Sequence, residues 1–338
     1  MGDYKKLSKE IQEKIEFDKQ TGWKNPCACK DSDAVRRHEG HDKPLLWRPT
    51  FVSDTEKILH NPFYNRYSDK TQVFSLYKND DISRRAYHVQ LVARVARNIG
   101  TILGLNNDLI EAISLGHDLG HTPFGHDGEY ILDDLYREKT GKRFFHNVHS
   151  VRVLDKLICR NISLQTLDGV VCHNGEMELK EYKPHNLADF AEFDDRLGKC
   201  YLTEEANKQQ VPSTLEGCVM RICDIIAYLG KDRQDAEKAD VLKTDAYEDC
   251  AIGTYNAEII NNLIVNIVEN SYGKPYIKMD AEHFEALKKA KADNYDLIYF
   301  DNDRKENNRY TKPIFKPDFS PDTLLGVNYI GNCYIIKT

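Results

Sequence analysis

No stretch of the 338-residue sequence approaches the roughly 20 consecutive apolar residues that a membrane-crossing helix requires. An integral helical membrane protein is therefore not expected. The opening MGDYKKLSKEIQEKIEFDK is charged and helix-like, without the apolar core and small-residue cleavage site of a secretory signal, so a cytoplasmic location is expected. Cationic excess is also missing: 47 Lys and Arg stand against 54 Asp and Glu, for a net charge of -7. That balance argues against a broad duplex-binding face, although a small polyanion needs only a local cluster of cations. The nine cysteines form no framework. Their number is odd, and Cys159, Cys218 and Cys223 sit in apolar stretches, which suits free thiols in a reducing compartment.

Convincing strand alternation is scarce over the first 270 residues, where helical periodicity dominates, and an all-α body follows. Residues 84–99 put His88, Leu91, Val92, Val95 and Ile99 on one helical face. A helix from Asn107 or Asp108 runs to Gly116, leaving His117 and Asp118 at its end. Further helices are predicted from Gly125, over 146–160, over 213–230, over 256–269 and over 280–292, the last with Asp280 as N-cap. Residues 24–50 and 180–212 read as long loops, and from about 298 the pattern fades, with a short strand at NYIGNCYIIK. No internal repeat is visible.

Ligand chemistry is densest in LGHDLGHTPFGHDGE, residues 115–129. A lone histidine on a helix face is more often a hydrogen-bonded core residue than a ligand. Here an adjacent His-Asp pair at a helix end, His88 on a buried face upstream, and Asp224 alone among Ile222, Cys223, Ile225 and Ile226 all need a partner. One divalent ion held by His88, His117, Asp118 and Asp224 supplies it, with coordination positions left for water and a phosphate oxygen.

This ordered H…HD…D set resembles the HD-domain phosphohydrolases. More narrowly, the sequence is similar to the dGTPase-like deoxynucleoside triphosphate triphosphohydrolases from about Ser53 to Asp232, through NPFYNRYSDKTQVF, HDLGHTPFGHDGE, FFHNVHSVRVL and CDIIAYLGKD. The resemblance implies an all-α HD-domain bundle, one divalent metal (Mn²⁺, Mg²⁺, Fe²⁺, Ni²⁺ or Co²⁺), a homo-oligomer, and cleavage of a dNTP into deoxynucleoside and tripolyphosphate. It divides the chain into an N-terminal helix and irregular segment (1–52), an HD core (53–240) and a C-terminal helical extension with an irregular tail (241–338). Where the family carries two prolines, this sequence has Thr122-Pro123. Lys24 to Trp47 and the region past 300 have no counterpart, so no family substrate contacts carry over from them.

Within that reading His126 moves the proton, and Glu129 one turn later holds its ring. His121 and His146 are placed near the phosphates by the resemblance. Arg85, three residues before His88, is a phosphate contact, and Gln72 matches a position near sugar and base. Tyr228 and Asp232 follow Asp224 at steps of four, on one helical stripe, where a ring packs on the deoxyribose and an acid accepts its 3′ hydroxyl. Lys70 and Arg66 read as solvated cations, and His173 receives no role. Cys27, Cys29, His38 and His41 do not have a standard structural zinc spacing. An HD nucleotidase or phosphodiesterase on monophosphates, and a dNTP sensor without turnover, are the alternatives.

Overall fold

In this computed structural model the chain is described at residues 4–75, 77–174, 179–243, 247–248, 250–299, 328–330 and 333–335. Most of the expected irregular tail lies outside them. Helices start where a short polar side chain can accept a first-turn N–H. Ser8 does this for α1 (Lys9–Thr21). After α2 (Thr50–Leu59), Asn61 caps the single turn α3 (Pro62–Asn65). The long α4 (Arg85–Ile102) is followed by α5 (Asn107–Gly116), whose cap Asn106 accepts from Asp108 and Leu109. Then come α6 (Gly125–Thr140) and α7 (His146–Arg152), which widens into a π-helical turn over Val153–Leu157 rather than continuing regularly to 160. Ser163 opens α8 (Leu164–Val171).

The stretch 180–212, expected to be loop, contains α9 (Phe190–Cys200) and α10 (Glu204–Lys208), capped by Asp189 and Thr203. Its strand β1 (Glu181–Tyr182) pairs antiparallel with β2 (Ile277–Lys278). α10 is only five residues, too short to show a period, whereas α9 carries one that the polar composition of the segment masked: Phe190, Phe193 and Leu197 fall on one face and pack on the core. Thr214 caps α11 (Leu215–Lys238), which runs well past residue 230; α12 (Asn256–Ser271) and α13 (Ala281–Asn294) follow. A hairpin of β3 (Asn328–Ile330) and β4 (Cys333–Ile335) falls within NYIGNCYIIK. The architecture is all-α, with these strands as minor additions.

Two helices position everything else. α11 is buried on every face from Leu215 to Ala227, as expected of a helix that is apolar all round. α5 is buried from Leu109 to Gly116 except for Glu111, and packs against α2, α4, α8 and α11. At Gly169 on α8 a Cβ would lie 2.4 Å from Ile113 Cδ1, so the α5–α8 crossing depends on the missing methyl. Segment 24–50 holds little regular structure but is tied down: Glu216, buried in α11, accepts backbone N–H groups from Cys29 and Asn106 at 3.0 and 2.9 Å. Burial pushes the Glu216 carboxyl up to about 7.

Candidate metal centre and active site

α4, the end of α5 and the middle of α11 deliver four donors to one buried point. His88 Nε2 lies 2.9 Å from Asp224 Oδ1. His117 Nε2 lies 3.5 Å from Asp118 Oδ2 and 3.7 Å from Asp224 Oδ1, and His88 Nε2 is 4.0 Å from Asp118 Oδ2. The His117 ring is fixed by Nδ1–H, which donates to the Ser114 carbonyl at 2.6 Å. Its Nε2 is buried and has no hydrogen-bond partner. A buried lone pair left without a proton donor costs free energy that a cation would return. The donor set, two imidazoles and two carboxylates, fits a divalent metal.

Electrostatics keep the donors in the ligating form. Burial would raise the Asp118 carboxyl, but the Arg85 guanidinium and then His117, His121 and His146 hold it well below the usual carboxylate range. Arg85 Nη1 donates directly to Asp118 Oδ2, while Arg85 Nε is buried without a partner. Asp224 is likewise pushed up by burial and then drawn down to about 2 by His88 and His117. His117 is held below the ordinary imidazole value by burial.

The loop after Asp118 turns sharply. His121 N–H donates to Asp118 O, and Phe124 and Gly125 adopt φ of 64° and 58° in succession. Thr122 Oγ donates to the Gly125 carbonyl at 2.9 Å, so the residue replacing the family proline braces the same turn by a hydrogen bond. Gly120 sits flush against α7: a Cβ there would be 2.2 Å from Ser150 N and 2.5 Å from His149 C. These are backbone atoms, which cannot give way as a flexible side chain could. Only glycine lets the end of the His-Asp loop approach the helix that carries His146.

α6 and α7 meet through Glu129. Its carboxylate accepts from His146 Nδ1 at 2.9 and 3.0 Å and from the His146 backbone N–H at 2.7 Å, and it lies 3.2 Å from His126 Nδ1. The expected His126–Glu129 pair is therefore a trio in which His146 takes the larger share. Burial lowers the His146 imidazole, but Glu129 outweighs this and raises it above its ordinary value. His126 is the exposed member, 63% accessible, with its ring 5.5 Å from that of the buried His121. A cleft of about 550 Å³ opens beside His126, Glu129 and His146 and is also lined by Arg143, Lys288 and Lys291.

The remaining predicted contacts lie elsewhere. Gln72, Tyr228 and Asp232 do not line that cleft. Gln72 Oε1 is buried without a partner. Asp232, two turns beyond Asp224 on α11, accepts the Tyr299 hydroxyl on Oδ2 at 2.6 Å and leaves Oδ1 buried and unpartnered. Burial raises its carboxyl to about 7. Tyr228 is half-buried between them in sequence. Lys70, read as solvated, instead donates to the Leu119 carbonyl at 3.1 Å, and Arg66 pairs with Asp69 at 3.0 Å. Among the described residues, the groups whose ligand atoms converge all belong to this centre and include none of Cys27, Cys29, His38 or His41.

His173, left without a role in the sequence, is central. It follows α8 as His117 follows α5, and its Nδ1–H donates to the Val170 carbonyl at 2.6 Å in the same three-residue return. Its ring is 4.8 Å from His117 and 5.1 Å from His146. The signal available was a histidine directly after the buried run Val170, Val171, Cys172, which matches the placement of His117 after Leu115 and Gly116.

The sequence profile of the HD domain matches residues 85–229, which spans Arg85, all four donors and Tyr228. A deoxyguanosinetriphosphate triphosphohydrolase-like protein of Caldanaerobacter subterraneus subsp. tengcongensis is 32% identical over 318 residues, covering 92% of this chain and 81% of that protein. Proteins of the same name from Desulfatibacillum aliphaticivorans and Clostridium perfringens strain 13 are 31% and 33% identical, covering 86% and 80% of this chain and 77% and 73% of their own lengths. The chain belongs to the HD-domain family of deoxyguanosinetriphosphate triphosphohydrolase-like proteins, and at that level it is a hydrolase.

Proposed function

We infer that the protein hydrolyses deoxynucleoside triphosphates to the deoxynucleoside and tripolyphosphate in a metal-dependent reaction. The observation that carries this reading is the buried, unpartnered His117 Nε2 facing Asp118 and Asp224, within a family named for triphosphohydrolysis. His88, His117, Asp118 and Asp224 would hold the ion, and when bound it supplies Lewis-acid polarisation of a phosphate oxygen and acidifies a water.

The chain's own groups do the rest. In the reaction a water oxygen bonds to the α-phosphorus, the bond from that phosphorus to the 5′ oxygen breaks, and the 5′ oxygen takes a proton. His126 stands at the open side of the centre, oriented by Glu129, and delivers that proton. Arg85, with its Nε unspent, and the cationic wall of Arg143, Lys288 and Lys291 suit a triphosphate. Asp232 Oδ1 and Gln72 Oε1 are acceptors awaiting hydroxyl or amino donors, and Tyr228 packs on the deoxyribose. Incubating each dNTP with protein and Mn²⁺ or Mg²⁺ tests the reading by chromatography: deoxynucleoside and tripolyphosphate support it. Orthophosphate or pyrophosphate as the released product, dephosphorylation of dNMPs alone, or binding without turnover would overturn it.

A further inference from the structure

The cleft beside His126 is a trough with two helical walls. His126, Glu129, Tyr130 and Asp133 recur at helical spacing along one face of α6, and Lys288, Lys291, Ala292 and Tyr295 do so along α13 and into the turn that ends it. At a rise of 1.5 Å per residue each wall is about 10 Å long. Tyr295 marks the end at the candidate active centre, because its ring lies 4.9 Å from that of Tyr299, whose hydroxyl donates to Asp232. His126, beside His121, marks the same end on the opposite wall. Asp133 and Lys288 therefore mark the far end.

At that end the cations come with acids. Arg143 pairs with Asp133 at 2.9 Å and with Glu204 at 3.6 Å, Lys208 with Glu204 at 2.6 Å, and Lys288 with Glu285 at 3.5 Å. A longer row of bare phosphates would meet Asp133 and Glu204 as repelling neighbours. What the trough offers there suits a flat, uncharged group. Tyr130 is 68% exposed on one wall, and the Phe144 ring lines the floor.

Two amides on the floor add directional polarity. Asn147 Nδ2 donates to the Val171 carbonyl at 2.7 Å and to Asn207 Oδ1 at 2.8 Å. The carbonyl only accepts, so both amides are fixed in orientation. Asn147 Oδ1 and Asn207 Nδ2 are left without partners in side chains that are wholly buried. One acceptor and one donor thus stand unused beside aromatic faces. Ring stacking with donors and acceptors around a flat edge is how a nucleobase is held.

We propose that the far half of the trough takes a second nucleoside, esterified to the terminal phosphate, so that the protein also splits dinucleoside polyphosphates at their deoxynucleoside end. The step keeps the balance given above. A water oxygen bonds to the phosphorus next to the deoxynucleoside, the bond from that phosphorus to the 5′ oxygen breaks, and the 5′ oxygen takes the proton. The leaving triphosphate departs with the second nucleoside still attached. This proposal rests on the triphosphohydrolase reading and widens its substrate class.

The test supplies the full chain and Mn²⁺ with deoxyguanosine and adenosine joined 5′ to 5′ through a triphosphate, beside dGTP as control. Deoxyguanosine and ATP, counted by mass analysis and by a luciferase assay, are the expected products. Tyr130→Ala should raise KM for the joined substrate about tenfold through the lost stacking, and leave KM and kcat for dGTP unchanged. Asn207→Ala should act in the same direction. Cleavage of dGTP but not of the joined substrate overturns the proposal and leaves the triphosphohydrolase reading standing. So does release of dGTP and adenosine, or of a nucleoside monophosphate, or cleavage that neither substitution weakens. An effect of free ATP on dGTP turnover that Tyr130→Ala removes, without cleavage of the joined substrate, would assign the far half to a separate nucleotide and likewise overturn it. If neither substrate is turned over, both readings fall.

Discussion

Arg85 and Asp118 form an ion pair in which both side chains are 4% accessible, joining the first turn of α4 to the end of α5. The pair sets the charge of the whole centre, because Asp118 also faces four imidazoles. Breaking one partner leaves the other buried and uncompensated.

Asp118→Ala should therefore abolish metal retention and destabilise the metal-free protein by about 3–5 kcal/mol. The Arg85→Ala, Asp118→Ala double variant should recover part of that loss, giving a non-zero coupling energy in a double-mutant cycle measured by urea unfolding. Additive losses would show that the pair contributes nothing beyond its separate members.

His126→Ala removes a group that is exposed and outside the four-donor set. Turnover should fall by about 10²–10⁴, while metal content stays that of the unaltered protein. Equal loss of metal in His126→Ala and Asp118→Ala would overturn the division between proton transfer and ion binding.

Glu129→Gln removes the charge that raises His146 against the effect of burial. In the metal-free protein the His146 ring should then lose its proton at lower pH, which NMR of the imidazole signals reads directly. The sign for stability follows from linkage: a raised imidazole value contributes stability below its ordinary 6.5, lost as pH rises through the folded value. The variant should lose that contribution at low pH. An unchanged His146 titration would contradict the trio described here.

Asp224, drawn from 3.8 to about 2, contributes on the order of 2 kcal/mol to the metal-free protein above pH 4, a contribution lost as pH falls toward 2. Unfolding free energies measured in chelator across that window should show the fall, and Asp224→Asn should flatten it.

Much of this centre could be read in the sequence because its chemistry sits in unlikely surroundings. His117, Asp118 and Asp224 each interrupt an apolar helical pattern, and the structure brings them together with His88 at 2.9–4.0 Å. The helices carrying them were legible for the same reason: α5 and α11 are buried and strongly periodic. α10 is too short to show a period, and the period of α9, Phe190, Phe193 and Leu197 on one face, lay hidden in a polar segment. His173 was hidden because its importance lies in what α8 packs against, and the α5–α8 crossing at Gly169 is a tertiary fact. Glu129 illustrates the same limit. Helical spacing showed its neighbour His126, one turn away, but not His146, which reaches it from the next helix.

Gly120 converts that packing into a test. Gly120→Ala places a methyl against the α7 backbone, where overpacking costs about 1–3 kcal/mol. The lowered melting temperature should be accompanied by weaker metal retention, since Gly120 lies two residues after Asp118 and a shift of its loop moves that donor.

The most direct measurement of the central claim is hydrolysis of a dNTP in ¹⁸O-labelled water with Mn²⁺, followed by ³¹P NMR and mass analysis of both products. Attack at the α-phosphorus predicts one ¹⁸O in the terminal phosphate of intact tripolyphosphate and none in the deoxynucleoside. Label in orthophosphate or pyrophosphate, or in the 5′ hydroxyl, would contradict it.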